Sequence, residues 1–388
     1  MGNPFASVGL AAHYTRFRVG HRLLFTGHSH QAWPDVAFDA QQRAWLDAAA
    51  MVDDKWERAA NVAEDVRVGW RRLLADPQGD IALGQNTHEL VVRLLSALPL
   101  PLTLITTDGE FHTIRRQLDR LAEAGINVIK IAARPVDTLA ERIAAAVDDA
   151  TSCVMVSSVL FETAEIVPNL NAVAEVCTRH GTTLLIDAYH HLNVIPFDVN
   201  AMGLGNAFVV GGGYKYCQLG EGNCFLRVPP GCELRPVITG WFSEFAELAD
   251  APSSVVGYGR GAARFAGATY DPTSHYRAAA VFAFHQRMTM TATRLRSANV
   301  HQVGMLARRF EALDLDPALG EIIPMPAARR GGFLAIRCAD ATNAVLRLRA
   351  RNLFADARGD ILRLGPAPYI SDQQLLEAGE ILRQVFKR

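Results

Sequence analysis

The stretch TTLLIDAYHHLNVIPFDV (182–199), followed by NAFVVGGGYKYCQLGEGNCFLRVP (206–229), decides how the chain is read. Each part opens on a short aliphatic run, too short for a helix and bounded by glycine or polar residues, so each reads as a strand buried on both faces. The first run ends on Asp187; the second passes through three glycines into Tyr214-Lys215-Tyr216. In a sheet wrapped by helices, ligands bind beyond the carboxyl ends of the strands. A carboxylate and a lysine at neighbouring strand ends are thereby candidates for one site.

Working outward, the runs DIALG (80–84), TLITT (103–107), NVIKIAA (127–133), SCVMVSS (152–158) and NCFLRV (223–228) alternate with segments of helical period at 89–98, 113–124, 137–147 and 170–180. Gly125 and Gly181 stand where two of these helices stop. Such alternation predicts a mostly parallel sheet wrapped by helices. After Pro229 the chain becomes glycine- and proline-punctuated, then resumes with one long helix over 276–296 and a strand-and-helix region containing GGFLAIRCA and DILRLGP. The expected organisation is an N-terminal arm (1–20) joining a small domain, a large α/β domain (21–270) and a small C-terminal α+β domain (271–388).

The 388 residues are 49% hydrophobic and 20% charged, with a formal net charge of −1. That balance suits a large core and small-molecule chemistry, with no basic face for nucleic acid or an anionic membrane. Six cysteines without a C-x-x-C pair, several in apolar runs, read as reduced and buried, and no stretch has the length to span a bilayer. A cytoplasmic protein is expected. Lys215 lacks the flanking Gly and Ser/Thr of a phosphate-cradling P-loop. His28 and His30 have no Cys or carboxylate cluster beside them, so no metal site is expected.

Polar residues after each strand form one candidate rim: Asn86-Thr87-His88, Glu110-Phe111-His112, Ser157-Ser158, Asp187 with His190 and His191, and Tyr214-Lys215-Tyr216. A partly buried Asp187 needs a cation or donor, which a protonated pyridine nitrogen would supply. A lysine desolvated in a glycine-rich turn loses proton affinity and becomes a Schiff-base nucleophile. Taken singly, a strand-end Asp is more often a structural carboxylate and a strand-end Lys more often a solvated one; their order and spacing say more.

Residues 166–199 and 206–229 resemble the kynureninase branch of the class V, fold type I enzymes that use pyridoxal 5′-phosphate (PLP): a strand-end Asp-x-x-His, a short Pro-hydrophobic-Asp return, and Tyr-Lys-Tyr before a Gly-containing tail and a strand. The resemblance extends over residues 20–370. It implies an aspartate-aminotransferase-like fold, with a seven-stranded, mostly parallel sheet plus a small C-terminal domain, and a homodimer with shared active sites. By position it makes Lys215 the Schiff-base lysine, Asp187 the pyridinium partner, Phe111 a ring-stacking residue, and Asn86 and Thr87 a phosphate-binding pair at a helix start. Ser158 and His190 fall in the cofactor pocket. Tyr214 resembles a phosphate-binding tyrosine that also moves protons, Trp241 and Thr269 resemble residues near the phosphate, the latter from the partner subunit, and Arg363 resembles the arginine gripping a substrate α-carboxylate.

The chain departs from that pattern at Glu162-Thr163-Ala164 (usually Arg-Thr-Gly), at Asn193 (usually Gly), at Ile370-Ser371 (usually Asn-Ser), and at Gly27-His28-Ser29-His30, which replaces a Gly-Asn-Ser-Leu-Gly type segment. His28, Ser29 and His30 are expected to border the substrate. The implied activity is hydrolysis of an aryl-ketone amino acid to alanine and an aromatic acid. Class V transamination, β-elimination and desulfuration are the alternatives, and a non-catalytic PLP-fold regulator is the remote one.

Overall fold

All seven expected strand runs of the large domain enter one sheet in the computed structural model, which describes residues 3–5, 9–248 and 254–387. Residues 1–2 and 6–8 of the expected arm, 249–253 of the Gly/Pro-punctuated stretch, and 388 lie outside the described residues. The strands are β1 (Asp80–Gly84), β2 (Thr103–Thr107), β3 (Asn127–Ile131), β4 (Cys153–Ser157), β5 (Thr183–Asp187), β6 (Phe208–Gly212) and β7 (Cys224–Val228). Their order across the sheet is β1-β7-β6-β5-β4-β2-β3. Strand β7 runs antiparallel to both neighbours, whereas the other pairings are parallel.

Register places the chemistry. Ser157 pairs with Asp187, and Asp187 with Val210, so β4, β5 and β6 finish at a common edge. Gly84 and Gly212 both pair with Cys224, which brings the start of the reversed strand β7 to that same edge. Along each strand, successive side chains point to opposite faces. Ile105, Val154, Val156, Ile186 and Val209 therefore enter one core, while Leu104, Met155, Leu185 and Val210 enter the other. Both faces are covered, which is why these runs are almost uninterruptedly apolar.

The helices are α1 (Val36–Met51), α2 (Lys55–Leu73), α3 (Thr87–Ser96), α4 (His112–Glu123), α5 (Leu139–Ala146), α6 (Leu170–His180), α7 (Thr273–Arg287), α8 (Ala292–Glu311), α9 (Ala341–Arg349) and α10 (Asp372–Phe386). Helices α3 and α4 supply Leu90, Leu94, Ile114 and Leu118 to one face of the sheet. Trp70 of α2, Leu139 of α5 and Val173 of α6 cover the other. A second sheet, β8 (Glu321–Ile322), β9 (Leu334–Arg337), β10 (Asp356–Arg358) and β11 (Ile361–Leu364), is antiparallel with order β10-β11-β9-β8. Its core includes Phe5, Leu10 and Tyr14 from the N-terminal end together with residues of α8 and α10.

The single long helix expected over 276–296 is two helices. Thr289 adopts φ 50°, a left-handed conformation that a β-branched residue cannot hold inside a helix, and Thr291 caps α8 by accepting the Arg294 N–H at 3.3 Å. The apolar period continues across the break, so periodicity alone did not reveal it.

Candidate functional site

The common strand edge opens into a cavity of about 400 Å³ whose lining includes Asn86, Thr87, Phe111, Asp187, His190, Tyr214 and Lys215. The glycines before the lysine allow the close approach: a Cβ on Gly212 would lie 2.3 Å from the Tyr189 hydroxyl. Lys215 is 4% exposed, and its Nζ lies 2.7 Å from His190 Nε2 and 5.0 Å from the Phe111 ring centroid. The chain contains four lysines, Lys55, Lys130, Lys215 and Lys387, and Lys215 is the buried one.

Burial controls the ionisation of this group. Desolvation brings Lys215 down to about 7, against the opposing pull of the Asp187 carboxylate. His190 falls well below the usual imidazole value, first through burial and then through the charge of Lys215. A neutral His190 can accept from Lys215 at Nε2, which leaves the proton on Nδ1, a buried atom without a hydrogen-bond partner. Asp187, partly open to the cavity yet surrounded by protein, is raised by desolvation and lowered by the Tyr189 N–H (2.9 Å) and Lys215. That N–H is the one hydrogen bond its carboxylate receives among the described residues. Tyr214 is pushed up to about 12 by burial and keeps its proton.

At the opposite wall, Asn86 is the N-cap of α3, and its Oδ1 accepts the Glu89 N–H at 2.9 Å. Thr87 is the first helical residue. The side-chain cap takes the Glu89 N–H and the Cys224 thiol the Thr87 N–H, so the rest of the four N–H groups that a helix start leaves open remain available to an anion.

Other expected site residues lie elsewhere. Ser158 sits behind the cavity wall, donating to the Asp187 carbonyl at 3.2 Å and meeting His191 Nδ1 at 3.2 Å; Ser157 reaches the cavity instead. Trp241 and Thr269 line a separate, larger cavity of about 850 Å³ that shares Gln85 with the first. His28 is fully buried, with Nε2 2.6 Å from Asp356 Oδ1. Ser29 donates to the Thr26 carbonyl at 3.1 Å. His30 is exposed and stacks on Tyr214 with ring centroids 4.9 Å apart. Arg363 is buried and bonds the Asp356 carboxylate through Nε (2.9 Å) and Nη2 (2.5 Å), and the Phe161 carbonyl through Nη1 (2.6 Å).

At two of the departures the backbone keeps the conformation that favours glycine: Asn193 has φ 61° and Ala164 φ 65°, the left-handed region that glycine enters without cost, that asparagine tolerates and that alanine enters under strain. Sequence reasoning placed Glu110 on the candidate rim without a role and gave no site role to Tyr189, Cys224 or Asp356. Glu110 is buried, accepts from Thr107 Oγ1, Ser157 N and Ser157 Oγ, and is raised to about 7 by desolvation. Its place after β2 was a signal. Cys224 and Asp356 carry no such signal, because only the antiparallel registers bring them in.

Among the described residues, no group of three or more His, Cys, Asp or Glu could hold a metal ion, and no helix is long and apolar enough to cross a membrane.

Residues 295–382 match the family described as the kynureninase C-terminal domain. A curated relative, an uncharacterized aminotransferase YcbU of Bacillus subtilis (strain 168), is 23% identical over 340 residues, covering 86% of each chain. Among solved structures, a C-DES variant with glycine covalently linked to the PLP cofactor superposes with TM-score 0.82 at 17% identity, covering 96% of this chain and 98% of that one. Cysteine desulfurase from Thermococcus onnurineus NA1 superposes with TM-score 0.81 at 13% identity over the full length of both chains. At these identities the superpositions establish the fold. The chain thus has the class V, fold type I architecture of PLP enzymes, and its C-terminal part matches the kynureninase C-terminal domain.

Proposed function

We propose that this protein is a PLP-dependent enzyme acting on an amino acid, with Lys215 holding the cofactor, and that its reaction is kynureninase-like hydrolysis. The observation that carries the reading is the buried Lys215 amine, lowered to about 7, set in one cavity with an Asp187 carboxylate that receives a single backbone N–H.

The residues fit the cofactor. Asp187 needs a cationic donor, which a pyridinium nitrogen provides, and His190 Nδ1 is a buried donor without a partner. The open N–H groups at the start of α3 suit a phosphate. Phe111 supplies a ring face, and Trp241 and Thr269 extend the phosphate side from the adjoining cavity, the threonine serving the partner subunit of a homodimer. Ser158 supports Asp187 from behind through the strand carbonyl. When bound, PLP supplies an electron sink for bonds at the amino acid Cα.

The chain's own groups handle protons and orientation. Lys215 Nζ, near neutrality in proton affinity, can take a proton from a substrate carbon and return it at the same pH. Neutral His190 orients that amine at 2.7 Å. Tyr214, protonated up to about pH 12, is the donor to a leaving carbon. Arg363 binds the α-carboxylate, and Ser29 and His30 border the substrate from the N-terminal segment.

Hydrolysis of the Cβ–Cγ bond of an aryl-ketone amino acid consumes one water and gives alanine and an aromatic acid. The family match over 295–382 supports this choice; the aminotransferase relative supports transamination as the second reading. Incubating PLP-loaded protein with kynurenine and related aryl-ketone amino acids decides between them. Alanine with an aromatic acid is expected; a keto acid without alanine overturns hydrolysis in favour of transamination.

A further inference from the structure

Asp356 and Arg363 are direct cross-strand partners on β10 and β11, joined by a turn in which Gly359 takes φ 56°. The pairing sets the two side chains face to face, and the carboxylate meets the guanidinium edge at both Nε and Nη2. With the Phe161 carbonyl on Nη1, three of the five N–H groups of Arg363 are engaged among the described residues and two remain. Phe161 itself lines the Lys215 cavity and the Arg363 charge acts on Lys215, so the buried guanidinium is anchored just behind the cavity wall.

A third element fixes the carboxylate. His28 comes from the N-terminal segment, is 0% exposed, and reaches Asp356 Oδ1 at 2.6 Å. Its ring packs on Phe333 at 4.6 Å, and its Nδ1 lies against Gly365, where an added Cβ would sit 2.3 Å away. Burial lowers His28 to about 4, so at neutral pH it is an uncharged imidazole donating Nε2–H. Arg358 stands 3.7 Å from the other side of the carboxylate. Two guanidinium groups, one carboxylate and a neutral imidazole leave the corner with one positive charge. That excess, beside two uncommitted N–H groups, suits an incoming carboxylate.

We propose that Asp356, itself oriented by His28, is a positioning residue that holds the Arg363 fork in one orientation for the α-carboxylate of an amino acid substrate. His28 then acts through Asp356 and does not touch the substrate. The proposal rests on the carboxylate-binding reading of Arg363. Replacing the carboxylate by an amide breaks the two-point contact, because the amide NH₂ cannot accept from the fork. The amide oxygen and the Phe161 carbonyl still hold one N–H each, so the guanidinium loses one of its three anchors and can tilt, and a displacement of about 1 Å in such a clamp costs on the order of tenfold or more.

The test measures binding of L-alanine and of L-alaninamide to the PLP-loaded protein by the change in cofactor absorbance, and takes the ratio of the two affinities. The parent protein should favour L-alanine, and Arg363→Lys should lose that preference. Asp356→Asn and His28→Phe should each lower the ratio by about tenfold with the cofactor spectrum unchanged, and Asp356→Glu should recover part of it. His28→Phe keeps the packing on Phe333, so it decides the matter alone should Asp356→Asn not fold. Loss of the ratio in Arg363→Lys with parent-like ratios in the other two variants overturns the positioning role and leaves Arg363 in place. A parent protein without preference for L-alanine overturns the Arg363 reading and the positioning role together.

Discussion

Replacing Lys215 with Met should stabilise the cofactor-free protein, and by an amount that depends on pH. In the unfolded chain a lysine holds its proton up to about pH 10.4, whereas burial lets the folded one hold it only to about 7. Between these values the unfolded state binds more protons, so the stability of the parent protein rises with pH through that window. Below about pH 7 both states are protonated and the folded state carries the full penalty. At about 1.4 kcal/mol per tenfold change in proton affinity, that penalty is on the order of 5 kcal/mol. It disappears above the unfolded value. The attraction to Asp187 is already contained in that value, so it is the lost contact with His190 that reduces the gain, and a net stabilisation of about 2–4 kcal/mol at pH 6.5 is the expectation. Urea denaturation of both apoproteins at pH 6.5, 8 and 9.5 reads it directly. The variant should be the more stable at pH 6.5, and the difference should shrink as pH rises. A difference independent of pH, or a less stable variant at pH 6.5, would refute the claim that Lys215 is held against its preferred charge.

Further outcomes follow from the same geometry. Asp187→Asn should retain some cofactor but lose turnover about 10- to 100-fold, because a neutral partner forfeits a charge-assisted bond of about 1.5–3 kcal/mol; steady-state rates check this. Asn86→Ala removes the cap of α3 and should cost about 1 kcal/mol in urea denaturation. Sedimentation should show a dimer, and mixing inactive Lys215→Ala with Thr269→Ala subunits should change activity as shared sites require; a fully active monomer contradicts that arrangement.

The central strands of the large sheet were legible because they are apolar on both faces, and the edge strand Asn127–Ile131, which carries the exposed Lys130, because its run is short and β-branched. The same regularity located Asp187, Lys215, Phe111 and Asn86 at a common rim, since strand ends in such a sheet converge. Helices α1 and α2 were not singled out, and the α7–α8 break was missed because the apolar period runs through it while Thr289 turns the backbone. Asp356 was invisible for a different reason. Its partnership with Arg363 depends on hairpin register, and its partnership with His28 spans 328 residues. The same register explains why Arg363 is already bonded to an internal carboxylate, which residue type alone could not convey.

The scarcity of lysine makes the central claim unusually easy to examine, because Lys215 competes with three other lysines, all outside the cavity. The protein should be loaded with PLP, reduced with borohydride, digested and analysed by mass spectrometry. A reduced pyridoxyl adduct on the peptide containing Lys215, absent from Lys215→Ala, is the predicted result; an adduct on Lys55, Lys130 or Lys387 alone, or none at all, would contradict the account.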